Sequence, residues 1–279
     1  MSYRSLLVHL DDAPTCAARV QQAIALAKLM QAHLVGLAPT GLLRMPLALE
    51  AAAALESFNT MAWDLLLEQA QSTAQAFRQA CAEAGLKSCE AVVDTADVAE
   101  SLVRHAHCSD LVILGQSDPE RAGHAQRRSA SEQVLMHSAR PGLILPYAWT
   151  GDSLGRRALV AWDDSREAAR ALADALPLLR RAEQVQVLSW RESPLDEPLA
   201  ARLSALQQWL MWQGVTAEVH EQTGGTQAVG ELLLSRAADL DADLIVMGAY
   251  GRARWTERIL GGATRGMLDA MTMPVLMSH

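Results

Sequence analysis

Apolar residues along the chain gather into short unbroken aliphatic runs, separated by longer segments in which they recur at helical spacing. In the first half the runs occupy residues 6–10, 33–37, 90–93, 111–114 and 143–145, with helical segments such as 16–30 and 98–105 between them. In the second half they occupy 158–162, 184–189, 216–220, 244–247 and 275–277, with helical segments at 166–179 and 228–240. Runs too short for helices yet apolar on both faces predict strands covered from both sides. Their alternation with helices predicts an α/β fold built on parallel sheets.

The two halves repeat one another. Ser109-Asp110-Leu111-Val112-Ile113-Leu114-Gly115 matches Ala242-Asp243-Leu244-Ile245-Val246-Met247-Gly248, and the segment from Pro141 matches that from Pro274, both at a separation of 133 residues. Leu7-Val8-His9-Leu10-Asp11-Asp12 faces Leu159-Val160-Ala161-Trp162-Asp163-Asp164 at a separation of 152, so the first copy is longer in its middle. The extra length falls in the Ala- and Leu-rich stretch 42–84, where Leu55, Phe58, Met61, Trp63, Leu65 and Leu66 suit one or two amphipathic helices. Residues 148–157, with Gly151, Asp152, Ser153 and Gly155, read as a linker, which sets domains at 1–148 and 156–279.

Composition narrows the partners. A chain of 279 residues with 50% hydrophobic content is long enough for two domains with cores of their own. A net charge of −8 argues against a nucleic-acid binder or a polybasic membrane-surface protein. The apolar run at residues 6–10 meets Asp11 and Asp12 too early for an export signal, and no stretch is long enough to span a bilayer, so the expected location is the cytoplasm. Cys16, Cys81, Cys89 and Cys108 have no Cys-x-x-Cys spacing and are expected as reduced thiols.

Chemistry is expected where strands exit, because open parallel sheets bind ligands beyond the carboxyl ends of their strands. In the second half the fourth strand leads into Gly248-Ala249-Tyr250-Gly251, then nine residues, then Gly261-Gly262-Ala263-Thr264 and a helix. Glycines let backbone amides approach a phosphate, and the helix start supplies unpaired N–H groups. Arg252, Arg254, Arg258 and Arg265 against Glu257 make the loop locally positive. The same pattern also fits a plain strand-to-helix connection. Asp163 has two readings as well: an acceptor for an adenine amino group or a ribose hydroxyl, or part of an Asp-Asp-Ser helix cap.

Known enzyme signatures are missing: no phosphate-binding Gly-x-x-x-x-Gly-Lys-Ser/Thr, no Gly-x-Gly-x-x-Gly and no Gly-x-Ser-x-Gly. His105, His107 and Cys108, with Cys89 and His124, lack the spacing of standard metal sites. Asp239, Asp241 and Asp243 mimic a calcium loop, but without its glycine or its final acid. Catalytic residues and metal ligands are expected to be absent.

Val160-Ala161-Trp162-Asp163-Asp164-Ser165-Arg166-Glu167-Ala168, the segment from Asp243 to Gly251, the nine-residue spacing to Gly261-Gly262 and the terminal Met273-Pro274-Val275-Leu276 together resemble the universal stress protein family, in two copies over residues 3–147 and 156–279. The resemblance implies two Rossmann-like domains of the adenine nucleotide alpha hydrolase type, each with five parallel strands in the order 3-2-1-4-5, paired through their last strands. By motif position it implies that Ala161, Trp162, Asp163, Trp190, Met247, Gly248, Gly251, Gly261, Gly262, Ala263 and Thr264 surround ATP or another adenine nucleotide, with or without Mg2+.

The family places Ser or Thr directly after the third glycine, where this chain has Gly262, so one phosphate-contacting hydroxyl is lost. In the first copy Asp118 and Arg128 stand where the second has Gly251 and Gly261, although Ser129 and Ser131 keep hydroxyls. That copy is expected to be a non-binding partner. The function expected is a stress-response nucleotide sensor or regulator. A nucleotide-independent scaffold and a slow ATPase using Asp163 or Asp164 are the alternatives. Internal pairing of the two domains, a homodimer of such chains and a further protein partner are all compatible with this reading.

Overall fold

A computed structural model describes residues 2–41, 49–121, 123–149, 151, 153–191, 200–223, 229–251 and 262–279. The first half runs β1 (Ser5–His9), α1 (Cys16–Met30), β2 (His33–Pro39), α2 (Leu49–Glu83), β3 (Cys89–Asp94), α3 (Val98–Ala106), β4 (Leu111–Gly115), α4 (His124–His137) and β5 (Gly142–Leu145). The second runs β6 (Arg157–Trp162), α5 (Arg166–Leu179), β7 (Gln184–Arg191), α6 (Ala200–Trp212), β8 (Glu218–Thr223), α7 (Val229–Asp239), β9 (Leu244–Gly248), α8 (Gly262–Ala270) and β10 (Val275–Ser278). The long insertion of the first half is a single helix, α2. The side chains of Leu55, Phe58 and Met61 lie outside the described residues.

Contacts divide the chain into two compact units that do not follow the sequence halves. One comprises residues 3–115 and 125–140, the other 1–2, 116–124 and 141–279. In the amino-terminal unit the strand order is β3-β2-β1-β4, all parallel, with Leu6, Leu7 and Val8 of β1 fully buried at its centre. Burial on both faces is what makes these strands read as continuous aliphatic runs rather than alternating ones.

In the carboxyl-terminal unit the order is β8-β7-β6-β9-β10, which is 3-2-1-4-5 in that half's own count, again all parallel. β5 joins this unit antiparallel to β10, with Ile144 opposite Val275 and Gly142 opposite Met277. The last strand of each sequence half is thereby paired with the other, and neither edge is left as a template for foreign strands.

The repeated aspartate of the sequence has a structural cause. Asp110 accepts the Arg4 and Ser5 amides at 2.7 and 3.0 Å, and Asp243 accepts those of Arg156 and Arg157 at 3.1 and 2.9 Å. Each carboxylate clips the amino end of a first strand to the start of a fourth one. The other two acids of the calcium-like series go elsewhere, Asp241 to Arg157 and Asp239 to Arg236.

Candidate nucleotide site

The register Val160 to Val246 brings the carboxyl ends of β6 and β9 level with one another. Ala161 and Trp162 close β6, paired with Leu188 and Ser189 of β7, and Trp190 follows on β7 with its backbone paired to Gln222. Asp163 is exposed just beyond β6, where its Oδ1 accepts the Ser165 amide at 3.0 Å. The cap of α5 is Ser165, whose Oγ accepts the Ala168 amide at 3.1 Å. Of the Asp-Asp-Ser triplet, therefore, Asp163 makes only a local turn. Its Oδ2 accepts no hydrogen bond among the described residues. Asp164 takes a left-handed backbone (φ 60°) and pairs with Arg202 of α6.

Met247 is buried in β9, and Gly248 ends it under the first turn of α5. A Cβ on Gly248 would lie 2.7 Å from the Ala168 nitrogen and 2.8 Å from the Glu167 carbonyl carbon. This glycine is thus required for close helix-on-strand packing, whatever binds nearby. The loop then turns through Tyr250 (φ 52°), whose amide donates to the buried Thr264 hydroxyl at 3.0 Å. Thr264, expected at a phosphate, is already the anchor of the loop and retains only its own O–H to donate. Gly262, Ala263 and Thr264 form the first turn of α8. Gly261 and the arginines at 252, 254 and 258 lie outside the described residues.

Two further features escaped sequence reasoning. Glu167, 4% exposed, places a carboxylate oxygen 3.4 Å from the position of a Cβ on Gly251. Burial pushes its carboxyl up. The adjacent Arg166 guanidinium, with help from His279, outweighs that and holds it below the ordinary range, so the carboxylate is favoured in its ionised form, paired with Arg166. Opposing this are two buried donors without partners among the described residues, Trp162 Nε1 and Ser189 Oγ, on neighbouring register positions of β6 and β7. Such groups each cost about 1–3 kcal/mol when left unpaired. A polar ligand with acceptors suits the two donors, and the Glu167 carboxylate weighs against a phosphate beside Gly251. Among the described residues no group of three His, Cys, Asp or Glu side chains converges as a metal site, and no helix is long and apolar enough to cross a membrane.

Residues 155–279 match the family model described as the universal stress protein family. The whole chain superposes on a universal stress protein from Archaeoglobus fulgidus with a TM-score of 0.73 at 19% identity, covering 98% of this chain and 97% of that one. The fold is that of the universal stress proteins. A candidate universal stress protein from Pseudomonas aeruginosa gives a TM-score of 0.62 at 21% identity, with 99% and 93% covered. A functionally unknown protein from the same species gives 0.62 at 18%, with 99% and 92% covered. No curated protein matches the sequence. The ten strands and eight helices described resemble two fused universal stress protein domains.

Against that fold, the corresponding edge of the amino-terminal unit is filled by its own side chains. Arg19, 2% exposed, lies across the ends of β1 and β4: its Nε donates to the His9 carbonyl at 2.9 Å and its Nη2 to Asp11 Oδ1 at 2.6 Å. A Cβ on Gly115 would fall 2.2 Å from Arg19 Nη1. Burial raises the Asp11 carboxyl, yet the Arg19 guanidinium and His9 hold it at about 2. Burial pushes the His9 imidazole down to about 4, with the Arg19 and Arg127 cations adding to the shift and Asp11 and Asp12 resisting it. Asp118 accepts the Glu120 amide at 3.0 Å and Arg128 pairs with Glu132, so both charged replacements of loop glycines are engaged locally. The sequence signal for Arg19 was present: a lone arginine among Cys16, Val20, Ala23, Ile24 and Ala27, the buried face of α1.

Proposed function

We propose that this chain binds ATP or a related adenine nucleotide at the carboxyl edge of β6 and β9, with or without Mg2+, and acts as a stress-response sensor or regulator rather than as an efficient catalyst. The two sequence copies, 1–148 and 156–279, then have unequal tasks, the second binding and the first supporting. Asp163 Oδ2 would accept from the adenine amino group or a ribose hydroxyl. The backbones of Ala161, Trp162, Trp190 and Met247 would border the base. Gly248, Gly251, Gly261, Gly262, Ala263 and Thr264 would line ribose and phosphates.

The observation that carries this reading is the pair of unpartnered buried donors, Trp162 Nε1 and Ser189 Oγ, at the strand ends where an open parallel sheet binds ligands. A nucleotide-independent scaffold is the second reading. It is favoured by the Glu167 carboxylate beside Gly251, which repels phosphate there. Native mass spectrometry of the purified chain, followed by thermal shift with ATP and AMP, separates the two. A copurifying adenylate, and a Tm rise that Gly251→Asp abolishes, support the sensor. No nucleotide, with equal shifts in wild type and variant, overturns it in favour of the scaffold. Steady ATP turnover lost in Asp163→Asn would instead make the chain an ATPase.

A further inference from the structure

Apart from the nucleotide edge, the amino-terminal unit holds two neighbouring cysteines. Cys81 lies near the end of α2, wholly buried, and Cys89 opens β3, partly exposed. Their thiols are near neighbours, at the seam where α2 packs against β3. The intervening turn is already closed around them: Gly85 takes the left-handed backbone (φ 69°), the Leu86 amide donates to the Cys81 carbonyl at 2.9 Å, and the Leu86 carbonyl accepts the Cys89 thiol at 3.5 Å. One residue, Leu86, thus bonds to both cysteines through its backbone. Cys89 is a β3 residue, and β3 is an outer strand of its sheet, paired only with β2 among the described strands.

From this geometry we infer that Cys81 and Cys89 form a reversible disulfide under peroxide, a covalent modification site that staples α2 to β3. Cys89 is the entry point, because a small oxidant reaches it and not Cys81. Its thiolate attacks one oxygen of hydrogen peroxide; an S–O bond forms, the O–O bond breaks, and hydroxide leaves, taking up the proton that the Cys89 thiol released. The Cys81 sulfur then attacks the Cys89 sulfenic acid, forming the S–S bond and breaking S–O. The Cys81 thiol proton departs with the hydroxyl as water. In sum two thiols lose two electrons and two protons, and peroxide becomes two waters. Burial, reinforced by the neighbouring Cys89 thiol, pushes the Cys81 thiol up to about 12, which keeps it protonated until the sulfenic acid forms beside it. A thiol reductant reverses the step by exchange. Nothing in this inference depends on nucleotide binding.

The sequence supplies the assay. Trypsin cuts after Arg78, Lys87 and Arg104, so the two cysteines fall on separate peptides, 79–87 and 88–104. The full chain is treated with hydrogen peroxide, alkylated without reductant, digested and analysed by mass spectrometry. A linked 79–87/88–104 pair, absent before oxidation and lost again with dithiothreitol, is the expected result. In Cys81→Ser no linked pair forms, and Cys89 proceeds to the sulfinic acid, read as two added oxygens on 88–104. Recovery of both peptides separately alkylated from peroxide-treated wild type overturns the inference. So does linkage of Cys89 to Cys108 or to a second chain in place of Cys81.

Discussion

The two strand edges at β1/β4 and β6/β9 begin from matching sequence and end in opposite states. Both have Asp-Asp just beyond the first strand, a fourth strand ending in glycine and an aspartate clip at the opposite end. The difference comes from one helical position. Where α1 carries Arg19, the matching position of α5 is Ala171, a fully buried residue that offers no charge and no hydrogen-bond donor there. At the first edge the charge that an open sheet offers to a ligand is satisfied internally, by Arg19 against Asp11 and the His9 carbonyl. At the second edge two buried donors have no internal partner. Two edges of like strand order can therefore differ in whether their polar groups are satisfied from within.

The largest test removes the internal partner of the first edge. Arg19→Met leaves the partly buried Asp11 opposite no cation and the His9 carbonyl without its donor; breaking a fully buried pair from one side costs about 3–5 kcal/mol, and a loss toward the lower end is expected here. Urea unfolding should show that loss. Arg19→Met combined with Asp11→Leu should recover much of it, since the double change leaves no orphaned charge. A single variant as stable as wild type would show that Arg19 does not hold the first edge shut.

The same cluster sets a pH response. His9 titrates at about 4 in the folded chain against 6.5 when free, so the unfolded state binds the proton first as pH falls. Its contribution is complete above pH 6.5 and is lost between there and pH 4, about 3 kcal/mol over the window. Asp11, at about 2, adds a separate loss between its ordinary value near 4 and pH 2, where Asp94, held at about 2 by Ser101 and Arg104 against the effect of burial, contributes as well. Unfolding free energies at pH 7 and pH 4.5 should fall less in His9→Asn than in wild type. Equal falls would mean that His9 does not govern this window.

At the second edge the matching structural test is Gly248→Ala. Its Cβ meets backbone atoms of α5, which cannot swing aside, so a loss of about 1–3 kcal/mol is expected in the same assay. Gly115→Ala meets only the end of the Arg19 side chain and should cost less in an Arg19→Met background than in wild type. If Gly248→Ala is neutral, the close packing of α5 on β9 is not what requires glycine there.

These residues also show what was legible beforehand. The strands and the aspartate repeat followed from aliphatic runs and a fixed register, because both arise from local burial and constant spacing, whereas the strand order came only with the family resemblance. The length of α2 as one helix did not follow, since helical spacing alone marks no break or continuity. In sequence, glycines 248, 251, 261 and 262 read as one phosphate loop. The structure gives Gly248 a packing reason that belongs to α5, a helix some 80 residues earlier in the chain. Glu167 was hidden for the same reason, being in sequence an ordinary first-turn acid; Arg19 left a trace as a lone arginine on the apolar face of α1, but only packing shows the strand end it meets.

Glu167 gives the smallest and most discriminating test. Its carboxylate is buried, ionised and adjacent to Gly251, and two unit charges about 4 Å apart interact by about 4 kcal/mol at an effective dielectric near 20. Arg166 offsets part of that field, so the net penalty on a phosphate at Gly251 is smaller. Glu167→Gln keeps the shape and removes the charge. For an adenine nucleotide whose phosphates lie along this loop, calorimetry should show about a tenfold gain in affinity, or ~1.4 kcal/mol, while adenosine, which lacks phosphates, should bind wild type and variant alike. A gain for adenosine as well would mean that Glu167 acts on the nucleoside. No gain for either would put the phosphates away from Gly251, and the contrast between the two edges would then rest on Arg19 alone.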